Sequence, residues 1–188
     1  GGNCQVTDEV QITINALPIV TTMDDFEVCE SEKSIVLSAS PYGGTWTSNN
    51  GGVLAVNIFD ATTSGAGNFS FTYTYQGNNG CVNYDNLLVS VNPLPTLMTN
   101  DTTYCNTSGL VPLPYSTPTG GTWSGTGINN NQFDPQLAGG VGSHNLTYTY
   151  TNGNGCSDEI VSTVSVTSSQ TIDAGPDMEI CMDYGIIN

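Results

Sequence analysis

Phe69, Phe71, Tyr73 and Tyr75 alternate with Ser70, Thr72, Thr74 and Gln76, the period-2 pattern of a strand with one buried face. Leu146, Tyr148 and Tyr150 alternate with Thr147 and Thr149 in the same way. Shorter apolar runs predict strands over Ser34–Ala39, Gly44–Thr47 and Leu87–Val91. Asn78-Asn79-Gly80 supplies the positive-φ residues of a tight hairpin between two of them. No window carries apolar residues at i, i+3, i+4 and i+7 for three turns, so helices are not expected. The pattern predicts an all-β chain of small sandwiches, each with roughly seven strands.

The pattern also repeats. Gly43-Gly44-Thr45-Trp46-Thr47 returns as Gly120-Gly121-Thr122-Trp123-Ser124, and Phe59-Asp60 as Phe133-Asp134. Phe71-Thr72-Tyr73-Thr74-Tyr75 returns as Leu146-Thr147-Tyr148-Thr149-Tyr150, and Asn79-Gly80-Cys81 as Asn154-Gly155-Cys156. Such recurrence marks a tandem array. Residues 19–95 and 96–168 read as two full modules. Residues 1–18 match the last strand of an upstream module, and residues 169–188 match the start of a downstream one. Trp46, Trp123, Tyr73 and Tyr148 are the expected core residues. Asn92-Pro93-Leu94-Pro95 reads as a stiff linker, with Ala16-Leu17-Pro18 as its upstream counterpart.

Charge narrows the function. The 188 residues hold one Lys, no Arg and 17 acidic residues, a formal net charge of −16. Nucleic acid and anionic membrane surfaces are both held by clustered Lys and Arg, so neither is an expected partner. Gly, Asn, Thr and Ser cover the surface where charged residues usually sit, and no run approaches the roughly 20 apolar residues of a membrane span.

Each module places cysteines at two fixed positions, the end of its first strand (Cys29, Cys105, Cys181) and the start of its last (Cys4, Cys81, Cys156). No CxxC or Cys/His cluster suggests a metal, so structural disulfides of a secreted protein are expected. Three connectivities stay open. Pairing within a module gives Cys29–Cys81 and Cys105–Cys156, with Cys4 and Cys181 paired outside the fragment; it is preferred because a unit that folds alone is easily multiplied. Sandwich topology, however, puts the two cysteines at opposite ends of a strand roughly 23 Å long, which favours a bond between modules such as Cys29–Cys156. Pairing successive cysteines also balances the count.

Catalytic signatures are absent: no nucleophile elbow, phosphate loop or zinc-binding His pair occurs. The one histidine, His144, falls at the position of Phe69 and reads as an ordinary strand residue. Asp25, Asp101 and Asp177 recur four residues before the first-strand cysteine. They are weak calcium candidates, since one carboxylate per module falls short of the six to eight oxygens calcium takes. No other cofactor is expected.

The series Gly-Gly-Thr-Trp-Ser-Gly, Phe-Asp-Pro, Ala-Gly, Leu-Thr-Tyr-Thr-Tyr-Thr-Asn and Asn-Gly-Cys, most complete between Gly120 and Cys156, resembles the immunoglobulin-like repeats of giant Bacteroidota surface proteins. Its nearest counterparts are SprB-type gliding-motility adhesins and related cargo of the type IX secretion system. The first module departs where Thr47-Ser48-Asn49 replaces Ser-Gly-Thr and where Ala61 follows Phe59-Asp60. The resemblance implies tandem immunoglobulin-like sandwiches, display at the cell surface, and adhesion to a polysaccharide or substratum, with neighbouring modules as the first partners. Two rival readings are a specific glycan- or protein-binding module, signalled by exposed loop aromatics at Tyr42 or Tyr115, and a spacer of a secreted enzyme.

Overall fold

The computed structural model describes residues 2, 4, 6–170 and 175. Two compact units form, the first from Gly1–Thr96 with Tyr150–Asp158, the second from Leu97–Thr149 with Glu159–Asn188.

In the first repeat the strands are β1 (Thr21–Thr22), β2 (Phe26–Cys29), β3 (Ile35–Val36), β4 (Ala39–Ser40), β5 (Thr45–Ser48), β6 (Leu54–Ala55), β7 (Ile58–Phe59), β8 (Gly67–Gln76) and β9 (Val82–Asn92). One sheet has the order β2-β9-β8-β5; β3-β7-β6 and the pair β1-β4 face it. The strand read over Ser34–Ala39 is thus split into β3 and β4. Alternation on β8 and β9 turns Phe69, Phe71, Leu87, Val89 and Val91 inward against Leu37, Phe59 and Ala61 from the opposite layer. This is an immunoglobulin-like β-sandwich.

The second repeat follows the same plan, with β10 (Met98–Thr99), β11 (Thr102–Cys105), β12 (Ser116–Thr117), β13 (Thr122–Ser124), β14 (Ile128–Asn129), β15 (Gln132–Phe133), β16 (Gly142–Thr151) and β17 (Ser157–Thr167). Its main sheet is ordered β11-β17-β16-β13. Phe133, Leu146, Val164 and Val166 make its centre. Ser162 takes the place of Leu87 and, fully buried, donates to the Asn100 carbonyl at 2.8 Å. The chain is all-β and tandem.

One helical turn, α1 (Ala61–Ser64), lies outside the sequence expectation, since four residues carry no helical period. Asp60 caps it by accepting from the Thr63 N–H at 3.0 Å. Asp134 does the same for the next repeat, accepting from the Gln136 and Leu137 amides. The recurring Phe-Asp pair is therefore a core ring followed by a turn cap.

Residues 6–18, expected as a last strand, form no strand. A strand is held by ladder hydrogen bonds to neighbours, and among the described residues no segment pairs with this one. Val6, Val10, Ile12 and Ile14 are exposed. Cys181, Asp177 and the expected start of a downstream module fall outside the described residues.

Candidate functional site: a tyrosine-seated groove and a disulfide junction

The Gly-Gly-Thr-Trp motif builds the first candidate. Trp46 lies directly across from Tyr73 in the β5–β8 ladder, with ring centroids 5.1 Å apart. Trp123 and Tyr148 repeat this at 5.2 Å. Both tyrosines are buried, and both tryptophans are partly buried against their cores. The Tyr73 hydroxyl donates to the Pro41 carbonyl and accepts from the Gly44 N–H, each at 2.6 Å. Tyr148 makes the same pair with Pro118 and Gly121. A Cβ on Gly44 would lie 2.4 Å from the Thr74 carbonyl oxygen and 2.6 Å from the Tyr73 ring. Gly43, at φ +100°, makes the turn before it.

Beside this seat an open groove of about 630 Å³ runs between Leu37, Tyr42, Trp46 and Leu54. Tyr42 is 99% exposed and Val56 is 86% exposed on its rim. The equivalent groove beside Trp123 is smaller, about 430 Å³, and Thr119 stands where Tyr42 would be. Tyr115, the other candidate, is exposed but does not line that second groove.

The second candidate is covalent. Cys29 is bonded to Cys156, across 127 residues, with Cα atoms 5.5 Å apart. The preferred pairings Cys29–Cys81 and Cys105–Cys156 are not the ones made. The cause is strand direction: β2 runs parallel to β9 and sets Cys29 opposite Asn92, the last residue of β9, whereas Cys81 precedes its first. Eleven strand residues, roughly 36 Å, separate the two ends, far beyond disulfide reach. Cys81, Cys105 and Cys4 are free thiols. The hairpin tip 150–158, carried by the second repeat, belongs to the first compact unit and brings Cys156 to Asn92. Asn152 donates to the Pro93 carbonyl and Asn154 to the Asn92 side chain, so the linker is gripped on both sides of the bond. No sequence signal gave these amides a role, although both sit in the Asn-rich hairpins.

The recurring carboxylates at positions 25 and 101 accept strand amides. Asp25 accepts from the Leu88 N–H and Asp101 from the Thr163 N–H, each at 2.8 Å. No group of three or more potential metal ligands occurs among the described residues. Asp85 accepts from the backbone N–H and hydroxyl of Thr22. The Thr22 and Asn86 amides, foremost, hold its pKa below the usual carboxylate value against the opposing pull of partial burial. His144 packs on Phe133, as Phe69 does on Phe59, and its Nε2 lies 2.8 Å from the Gly140 carbonyl.

No family model and no curated relative matches the chain. Solved structures similar to it include a Ca2+-stabilized adhesin that helps an Antarctic bacterium bind ice, at 15% identity and TM-score 0.41, covering 85% of this chain and 51% of that one. Drosophila N-cadherin EC1-4 is similar at 11% identity and TM-score 0.32, covering 80% and 50%. Human protocadherin-24 EC1-2 is similar at 11% and 0.31, covering 80% and 99%. The chain thus spans about half the length of two of these three. No helix among the described residues is long and apolar enough to cross a membrane.

Proposed function

We propose that this chain is a structural and adhesive repeat segment of a large secreted cell-surface protein, of the gliding-motility adhesin kind exported by type IX secretion. The Cys29–Cys156 bond carries the reading. It fastens the strand end of one repeat to the hairpin tip of the next, which suits a filament under tension and an oxidising, extracellular setting. Weak contacts from many such repeats sum to firm attachment, and a charge of −16 keeps such a filament from collapsing on itself. Surface polysaccharide or a solid substratum is the target class, and no step of catalysis is assigned to these residues.

The test is made on Bacteroidota cells that produce this chain. Antibody against it labels intact cells, and deletion of its coding region abolishes surface migration. Labelling seen only after permeabilisation would remove the reading.

Tyr42 favours a second reading, a groove that takes one sugar or side-chain ring between Tyr42 and Trp46. Under that reading Tyr42→Ala removes binding to a glycan array while leaving the melting curve in place. An array without hits leaves only the structural role.

A further inference from the structure

Cys81 and Cys105 occupy the same two frames as the bonded pair. Cys105 faces Thr167 in a parallel register as Cys29 faces Asn92. The next amide continues the match, Asn106 donating to the Thr167 carbonyl at 2.8 Å and Glu30 to that of Asn92 at 2.9 Å. Ser108 closes a turn onto the Cys105 carbonyl as Glu32 does onto Cys29.

Cys81 matches Cys156 equally well. Gly77 and Asn152 each donate to the carbonyl of the cysteine in their own tip at 2.9 Å, and the glycines just before the cysteines, Gly80 and Gly155, have φ of +81° and +80°. An asparagine side chain accepts from the cysteine N–H in both. The first hairpin also grips a linker, Asn79 donating to the Ala16 carbonyl at 3.0 Å as Asn152 does to Pro93. Ala16 precedes Leu17-Pro18 as Pro93 precedes Leu94-Pro95, so the two carbonyls are equivalent.

We infer that Cys81 and Cys105 are half-sites of a disulfide ladder running from module to module. Cys81 takes the first-strand cysteine of the module before it, and Cys105 takes the hairpin cysteine of the module after it. The partner is another copy of this repeat. Each bond forms by thiol–disulfide exchange: two thiols lose two protons and two electrons to a protein or small-molecule disulfide, which leaves as two thiols. Every junction is then bridged once, and pulling force crosses it through a covalent bond beside the proline linker. The inference rests on the tandem array and not on the adhesive role.

The test duplicates residues 16–167 in place within the full chain, Thr167 followed by Ala16, so that the repeat register continues. Non-reducing peptide mapping after alkylation is expected to show Cys105 of the first copy bonded to Cys81 of the second, with Cys29–Cys156 in both copies. Cys81 of the first copy and Cys105 of the second are expected to be alkylated. Cys105→Ser in the first copy is expected to return the second copy's Cys81 to the alkylated pool and to leave both Cys29–Cys156 bonds in place. A map in which both half-sites stay alkylated while Cys29–Cys156 forms overturns the inference. So does a Cys81–Cys105 bond within one copy of the unduplicated 188-residue chain.

Discussion

Gly44 offers its amide to the hydroxyl of Tyr73 at 2.6 Å, in a space where even a methyl group would overlap the ring. Gly121 and Tyr148 stand in the same relation one repeat later. A conspicuous sequence motif is therefore the receptor for a buried phenol, and the tryptophan two residues on packs tilted against the same ring.

Gly44→Ala is expected to destabilise the first module by about 1–3 kcal/mol, because the crowding atom is backbone and cannot swing aside. Tyr73→Phe strands the Gly44 N–H and is expected to cost about 1–3 kcal/mol. Urea melts followed by tryptophan fluorescence read both. A midpoint unchanged in either variant contradicts the seat.

The Cys29–Cys156 bond closes a loop of 127 residues and restricts the unfolded chain accordingly. Cys156→Ser is expected to lower stability by about 2–5 kcal/mol. Dithiothreitol reproduces the loss in the wild type and adds nothing in the variant. Calorimetry with and without reductant makes the comparison.

Asp85 sets a pH dependence. Its pKa is depressed in the folded state, so the stability it contributes is complete above the unfolded value of about 3.9 and is lost as pH falls through the folded value. The melting temperature of Asp85→Asn is expected to lie below wild type at pH 7 and to converge with it below about pH 4. A gap that stays constant across that range argues against the Thr22 hydrogen bonds as its source.

Asp25 and Asp101 distinguish backbone capping from calcium binding. Asp25→Ala is expected to lower stability by about 0.5–1.5 kcal/mol in EDTA, since the Leu88 amide loses its acceptor whether or not calcium is present. A loss seen only in calcium, absent in EDTA, would assign the carboxylate to a metal instead.

The second module should yield before the first. It places Ser162 where Leu87 fills the other core, and its half-buried His144 and Leu113 stand where the first core has the buried Phe69 and Leu37. Single-molecule pulling under reducing conditions, which releases the bond at Cys156, is expected to give two unfolding steps, the weaker assigned by its loss in Phe133→Ala.

The strands and repeat landmarks were legible because alternation and turn chemistry are local: Phe69 to Gln76 carries its own period, and Asn79-Gly80 its own hairpin. His144 was legible by register alone. The cysteine pairing was legible only as one of three alternatives: sandwich topology favoured Cys29–Cys156, while the preference for a unit that folds alone pointed elsewhere. Its solution depends on β2 running parallel to β9, and strand direction leaves no trace in which side chains face inward. The role of the carboxylates was hidden for a related reason. Recurrence of Asp25 and Asp101 tells that the position matters, while only the fold places a strand amide within 2.8 Å of each. Sequence by itself determined an all-β tandem array of aromatic-cored modules, since period and repetition are written residue by residue. The tertiary structure decided which ends meet, because end-to-end proximity arises from how strands are ordered and aimed.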